Sequence, residues 1–315
     1  MIKLGVVMDP ISSIKIKKDS TFAMLLEAQA RGWQLYYLEM ADLYLQDATC
    51  YGFMRPLRVR DDASGWFDLE AGQRQPLRDL DAVLMRKDPP VDMEYYHATQ
   101  MLERAEADGV LVINKPSSLR DANEKLFTAW FGNCTCPTLV SRNMQQLKEF
   151  LNEQQDIIVK PLDAMGGASI FRIKTSDPNT NVILETLTQQ GHRYAMAQTF
   201  IPQITQGDKR ILLINGEPVP YALARIPAAG ETRGNLAAGG KGVGVALTER
   251  DFWICQQVAP LLKEKGLVFV GLDVIGDYLT EVNVTSPTCI RELDAQYGIN
   301  ISAKLMDYIE SQLRS

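Results

Sequence analysis

The chain has 315 residues, 46% hydrophobic and 23% charged, with a formal net charge of −6, the composition of an ordinary soluble globular protein long enough for two or three modules with sizeable cores. The negative balance argues against a binder of nucleic acid or of anionic membrane, so any anion site has to be built locally from a few placed cations. There is no apolar run long enough to span a bilayer, and the opening Ile2-Lys3-Leu4-Gly5-Val6-Val7-Met8 turns polar too soon for a signal peptide; a cytoplasmic chain is expected.

Five cysteines, Cys50, Cys134, Cys136, Cys255 and Cys289, are odd in number and scattered, which argues for reduced thiols rather than a disulfide framework. Cys134-Thr135-Cys136 has no second pair for zinc, and only His97 and His192 are available to help.

In chain order, Lys3 to Met8 reads as a strand ending at Asp9-Pro10. Asp19 or Ser20 caps a helix through Ala30 that stops at Gly32, and a strand follows at Gln34 to Glu39. This strand, helix, strand order recurs at Asp81 to Arg86, Glu94 to Ala107 and Val110 to Asn114, predicting a small parallel sheet with ligands beyond its carboxyl ends. Arg86 sits at such an end, where a guanidinium can grip a carboxylate with two hydrogen bonds, or make a surface salt bridge. Residues 44–78 read as a hairpin and a loop without function.

A helix is expected over Ala122 to Phe131, carrying Lys125, with a domain boundary just before it. Next come a strand at Pro137 to Val140, an amphipathic helix at Met144 to Gln154, and the strand Asp156 to Lys160. Lys160 opens Pro161-Leu162-Asp163-Ala164-Met165-Gly166-Gly167-Ala168-Ser169, followed by a strand over Ile170 to Ile173. A glycine pair between strands, with a lysine at the entry, can turn backbone N–H groups toward phosphate oxygens. Neither a dinucleotide fingerprint nor a P-loop is present. After a helix around Val182 to Gln190, a strand at Tyr194 to Phe200 leaves backbone amides at its end for an adenine edge, and Asp208 lies downstream for ribose hydroxyls.

Asn215-Gly216 is a strong hairpin signal. Pairing Ile214 with Glu217 sets Arg210 against Tyr221, and Arg225 shares that parity, so both arginines face one way; like charges there call for an anion between them. Residues 226–244 hold six glycines and little core-forming material. Arg233, Asn235 and Lys241 within them favour a lid over a linker. A helix at Glu249 to Lys265 leads to Gly271-Leu272-Asp273-Val274-Ile275-Gly276-Asp277-Tyr278-Leu279-Thr280-Glu281-Val282-Asn283, two strands joined by a tight turn. Glu281 and Asn283 leave one face of a strand. A three-residue loop puts Asp273 opposite Glu281, whereas a two-residue loop turns Asp273 to the other face. Two carboxylates and an amide oxygen on one face are hard ligands suited to Mg²⁺ held together with substrate phosphates. A last helix is expected over Ala303 to Leu313.

Arg86 in MRKDPP, Lys160 in KPLDAMGGASIF, then GDKR, GETRGNLAAGG, GLDVIGD and TEVNVTSPTCIRE resemble, in that order and over essentially the whole chain, the bacterial glutathione synthetases of the ATP-grasp superfamily. The resemblance implies an α/β ATP-grasp fold in three parts: an N-terminal Rossmann-like parallel-sheet domain for substrate (1–121), a central lid domain (122–200), and a C-terminal antiparallel-sheet catalytic domain (201–315) with a flexible loop at 226–244. It implies ATP-dependent joining of glycine to γ-glutamylcysteine through an acyl phosphate, in a homotetramer.

By the same resemblance Lys125, Lys160, Gly166, Gly167 and Lys241 serve ATP phosphates, Gln198, Thr199, Phe200 and Ile201 the adenine, and Asp208 the ribose. Asp273, Glu281 and Asn283 hold two Mg²⁺, for which Mn²⁺ can substitute. Arg86, Asn235, Ser286, Thr288 and Glu292 take γ-glutamylcysteine, and Arg210, Arg225 and Arg233 the reacting groups. Departures from the family pattern concentrate in residues 44–78 and at Val243-Gly244. Another ATP-grasp ligase, of the D-alanine–D-alanine type, or a non-catalytic ATP-binding regulator are the alternatives.

Overall fold

The computed structural model describes residues 1–228, 230, 231, 234 and 239–314. The first sheet takes β1 (Lys3–Met8), β2 (Gln34–Leu38), β3 (Leu43–Gln46), β4 (Thr49–Val59), β5 (Phe67–Leu69), β6 (Gln73–Pro76), β7 (Ala82–Arg86) and β8 (Leu111–Ile113). Their order is β3-β4-β2-β1-β7-β8, with β5 and β6 paired to β4. The run β2-β1-β7-β8 is parallel, connected through α1 (Ser20–Ala30) and α2 (Met93–Ala107). Both βαβ units stand where the sequence puts them, because β1 and β7 are nearly continuous apolar runs that only a sheet covered on both faces can bury. Asp19 caps α1 by accepting the Phe22 amide at 2.6 Å.

Residues 44–78 depart from the expectation of a hairpin and a loop. They add strands β3 to β6 antiparallel to the sheet. The burial of β4 alternates irregularly past Arg55-Pro56, so its period is blurred in the sequence. The helix expected over 122–131 is also absent. A short helix α3 (Pro116–Asp121) starts at its proline and ends at Ala122, and Leu126–Cys134 is a 3-10 segment broken at Phe131. Between them the Asn123 carboxamide accepts the amides of Lys125 and Leu126 at 3.2 and 2.9 Å, a local turn that competes with helix. Lys125 therefore enters from a turn.

The second sheet holds β9 (Thr138–Ser141), β10 (Asp156–Pro161), β11 (Phe171–Lys174) and β12 (Ala195–Thr199) in the antiparallel order β11-β10-β12-β9. Helices α4 (Met144–Gln154) and α5 (Thr180–Thr188) pack on it through Leu147, Leu151, Leu184 and Leu187, against Ile157 and Val159. The third sheet holds β13 (Asp208–Ile214), β14 (Glu217–Ile226), β15 (Lys241–Ala246), β16 (Phe269–Ile275) and β17 (Tyr278–Asn283), in the antiparallel order β15-β14-β13-β16-β17. Helices α6 (Glu249–Glu264), α7 (Ile290–Tyr297) and α8 (Ile301–Leu313) complete the chain; α7 is not foreseen in the sequence reading. Among the described residues no helix is long and apolar enough to cross a membrane. The five cysteines are free and buried.

Cores tie the first and third sheets together. Val7 and Met85 cluster with Val270 and Leu272, and Leu84 and Ile113 with Phe269 and Leu305. The second sheet keeps a core of its own. Asn114, 4% exposed, pins the seam: its Oδ1 accepts the amides of Val268 and Phe269 at 2.7 and 2.9 Å, and its Nδ2 donates to the carbonyls of Phe269 and Val284 at 2.9 and 2.6 Å.

Two hairpin registers carry corrections. Ile214 does pair with Glu217, but a bulge between Ile211 and Leu213 moves Arg210 opposite Leu223 instead of Tyr221. The shift is by two residues, so the parity survives and Arg210 still faces with Arg225. In the β16–β17 hairpin Ile275 pairs with Tyr278 around the two-residue turn Gly276-Asp277, not around a three-residue loop. One extra residue in β17, Thr280, then restores Asp273 to its place opposite Glu281.

Asn114→Ala strands buried backbone donors and acceptors at the seam and should lower stability by about 3 kcal/mol. Urea unfolding measures this; a loss below about 1 kcal/mol would contradict the assigned role.

Candidate active site between the two antiparallel sheets

The second and third sheets enclose a cleft. Its walls are Ile158 and Lys160 of β10, the turn 164–168, the end of β12 from Gln198 into Phe200 and Ile201, and Asp208, Asp273 and Glu281 of the third sheet. Lys125 and Gly234 close its sides. The cleft is apolar around Ile158, Ile201, Ile204 and Ile275 and charged at one end, the division a purine and its phosphates require. The residues assigned to ATP thus line one cavity, with one exception: Lys241, which starts β15, does not line it.

Lys160 Nζ lies 3.4 Å and Lys125 Nζ 3.7 Å from Glu281 Oε1, and Lys125 also donates to the Ala164 carbonyl at 2.6 Å. Burial by itself would raise the Glu281 carboxyl, and the two ammonium groups more than reverse this, holding it below the ordinary glutamate value. On the neighbouring strands Asp273 receives Arg210 Nε at 2.5 Å and Nη2 at 3.0 Å, and Arg225 Nη2 at 2.9 Å. Asp273, Arg210 and Arg225 are 3%, 6% and 4% exposed. Burial pushes the Asp273 carboxyl up, but the two guanidiniums dominate and hold it well below the usual carboxylate range. The anion that two like-facing arginines call for is therefore supplied by the protein itself.

Arg225 also binds Asp208 Oδ2 at 2.5 Å, while Asp208 Oδ1 is buried without a hydrogen-bond partner among the described residues. Burial pushes the Asp208 carboxyl up to about 7 against the pull of Arg225. An acceptor oxygen left without a donor at the wall of the cleft suits a hydroxyl-bearing ligand.

A second cavity adjoins the first, sharing Met165 and Gly166 with it, and is lined by Arg210, Arg225, Asn283, Ser286 and Thr288. A third, reached past Ser286 and Thr288, brings Arg86 together with Lys15, Lys18, Asp19 and Asp88. Arg86 is not free to grip a ligand with its whole fork: Nε donates to Thr21 Oγ1 at 3.0 Å and Nη2 to the Pro287 carbonyl at 2.9 Å, which braces the 285–288 loop. Glu292, on α7, lines none of these three cavities. Arg233 and Asn235, expected at the site from the sequence, lie outside the described residues.

Asp273 and Glu281 stand opposite each other across the β16–β17 pair, and Asn283 stands opposite Gly271. Asn283 Nδ2 donates to the Gly271 carbonyl at 3.2 Å, which leaves Oδ1 as its outward donor atom. Among the described residues no three of His, Cys, Asp and Glu converge on a metal position. The set here is two carboxylates and an amide, which fits a hard divalent cation that completes its shell with phosphate oxygens and water. Cations of the protein hold both carboxylates.

Sequence reading missed Glu124, Lys18 and Gly234, and took Asp19 only as a helix cap. Glu124 Oε1 accepts the Val284 and Thr285 amides at 2.9 and 3.0 Å and Thr285 Oγ1 at 2.8 Å, contacts across 160 residues that no local pattern encodes. At Gly234 a Cβ would meet the Arg225 carbonyl oxygen at 2.5 Å and Asp208 Cβ at 3.0 Å, a close approach that only glycine permits.

Comparison with known proteins agrees with this geometry. Residues 2–120 match the N-terminal domain, and residues 124–298 the ATP-grasp domain, of prokaryotic glutathione synthetase. The glutathione synthetase of Vibrio vulnificus is 62% identical over 315 residues, covering 100% of this chain and 99% of that one. That of Escherichia coli K12 is 61% identical over 314 residues, covering 100% and 99%. Among solved structures, D-cycloserine synthetase superposes with a TM-score of 0.67 at 15% identity over 99% of both chains. D-alanyl-alanine synthetase A of Vibrio cholerae superposes with a TM-score of 0.59 at 13% identity, covering 100% and 99%; at such identities the likeness is one of fold, the ATP-grasp fold. On its sequence relatives, over its full described length, the chain belongs to the prokaryotic glutathione synthetase family.

Proposed function

We propose that the chain joins glycine to γ-L-glutamyl-L-cysteine at the expense of ATP, through an acyl phosphate, releasing glutathione, ADP and phosphate. The observation that carries this reading is the pair of facing ion clusters, Lys125–Glu281–Lys160 and Arg210–Asp273–Arg225, where the nucleotide cleft meets the second cavity.

In this reading Lys125, Lys160, Lys241 and the turn at Gly166-Gly167 receive ATP phosphates. Gln198 to Ile201 edge the adenine, and Asp208 Oδ1 accepts a ribose hydroxyl. Asp273, Glu281 and Asn283 hold divalent cation, in the finer reading two Mg²⁺ that Mn²⁺ can replace. A divalent cation so bound neutralises phosphate charge and orients the γ-phosphoryl group. As ligands enter, Arg210 and Arg225 pass from Asp273 to the substrate carboxylate and the charge that develops on it, where positioned cations in a dry site stabilise most. Arg86, Asn235, Ser286, Thr288 and Glu292 are assigned to the peptide, and Arg233, with Arg210 and Arg225, to the reacting groups.

Three units, 1–121, 122–200 and 201–315, are the proposed division; Ala122, Phe127, Phe131 and Cys134 pack in the core of the first and third sheets, so the separate core that supports a middle unit able to move as a lid begins only at β9. A cytoplasmic homotetramer completes the proposal and rests on family resemblance alone.

Incubation with ATP, a magnesium salt, γ-glutamylcysteine and glycine should yield the tripeptide by mass analysis. Phosphate release with D-alanine and none with γ-glutamylcysteine would overturn the substrate assignment. Glu281→Gln weakens a cation ligand on a folded hairpin, so turnover should fall at least about 100-fold with thermal stability retained; near-normal turnover would contradict the metal role. Arg210→Ala leaves Asp273 buried and undercompensated, costing roughly 3 to 5 kcal/mol. Adding Asp273→Asn should recover much of that stability but none of the activity, and additive losses in urea unfolding would argue that the two do not act as a pair.

A further inference from the structure

The ligase reading leaves one chemical demand unmet. The acceptor amine arrives as an ammonium, which has no lone pair for the acyl carbon, so a group in the cavity must take a proton. Arg210, Arg225, Lys125 and Lys160 are cations, and Asp273 and Glu281 are held by them. No histidine lines the second cavity, and its acids are Asp88 and Glu124. Asp88 also lines the third cavity, among Lys15, Lys18, Arg86, Asp9 and Asp19, where the Arg86 guanidinium engages its charge.

Glu124 is placed differently. Its Oε1 takes all three donors of Val284 and Thr285, and its main-chain oxygen accepts the Val282 amide at 2.8 Å. The side chain is thus fastened to the residues flanking Asn283, beside the arginines that receive the reacting carboxylate. Among the described residues its Oε2 has no hydrogen-bond partner, and it is not sealed from solvent. Glu124 and Pro89 also line a further cavity, running past Tyr96, Arg120 and Asp163 to Lys125, so Glu124 stands on the wall between that cavity and the reaction centre.

We infer that Glu124 receives the acceptor's ammonium and takes its proton, a role that rests on the ligase reading. The ammonium gives one proton to Oε2. The freed pair on nitrogen forms the C–N bond as the bond from the acyl carbon to the phosphoryl oxygen breaks, and its electrons leave on phosphate. The second proton lost from nitrogen goes to that phosphate, and Glu124 returns its proton to water when product departs. Oε1 serves the loop and Oε2 the amine.

The test compares glycine with hydroxylamine, a nucleophile already uncharged near neutral pH, in enzyme supplied with ATP, magnesium and γ-glutamylcysteine. Glu124→Gln keeps an Oε1 acceptor for the loop and removes the base. Glycine ligation should fall on the order of 10² to 10³-fold, while hydroxamate formation stays within a few-fold of the unaltered enzyme. Thr285→Val, which removes one donor from Oε1 only, should change both acceptors alike. Equal loss of both acceptors in Glu124→Gln, retained glycine ligation, or a selective loss of glycine in Thr285→Val would each overturn the assignment. No hydroxamate from the unaltered enzyme would instead bring down the ligase reading itself, and this role with it.

Discussion

Asp273 sits between two arginines in the floor of the cleft, and all three side chains are almost entirely withdrawn from water. Taking such charges out of water costs several kcal/mol each, and mutual attraction repays it only with close geometry. The chain supplies that geometry by bringing β13 between β14 and β16, so that Arg210 pairs directly with Asp273 across the strands and Asp208 pairs with Arg225. A hydrophobic cluster of the same volume would be no less stable. What the ion cluster provides, on the proposed reading, is a set of desolvated cations whose close protein partners an incoming anion can replace, and carboxylates that a metal can then take. Glu281 between Lys125 and Lys160 repeats the device on the nucleotide side.

The packing around this floor separates what must stay fixed from what can shift. The first and third sheets share cores and are pinned by Asn114, so Arg86, the 285–288 loop and the arginines hold one frame. The second sheet has a small core of its own and meets the frame largely across the cleft. Lys160 and Lys125 reach over that gap, and ligand charge placed there acts on the contact between the two bodies. On the proposed lid reading, binding and closure are one electrostatic event.

Much of this was legible in the sequence where the signal is local. The βαβ units, the Asp19 cap and the Asn215-Gly216 turn depend on residues within a few positions of one another, and all three stand. The common face of Arg210 and Arg225 follows from parity and survived a two-residue bulge. The opposition of Asp273 and Glu281 was reached through the wrong loop, since Thr280 is an extra residue that no turn signal announces. Opaque were the pairing of β13 with β16 across α6, which puts Asp273 between the arginines, and the reach of Glu124 to Thr285. Both are set by topology rather than by neighbours in the chain. The glycine-rich 226–244 segment read as a loop, whereas Lys241 to Gly244 pair with β14 as the start of β15, and the position of Gly234 against Asp208 and Arg225 has no sequence signature beyond the missing side chain.

The central claim is that this cluster transfers the γ-phosphoryl group to a peptide carboxylate before any amine takes part. Positional isotope exchange tests it directly, using ATP labelled with ¹⁸O in the β,γ-bridge, with a magnesium salt and γ-glutamylcysteine but no glycine. Scrambling of the label into the non-bridging β positions, dependent on γ-glutamylcysteine, is the expected result. A label that stays in the bridge while the complete system makes tripeptide would contradict it.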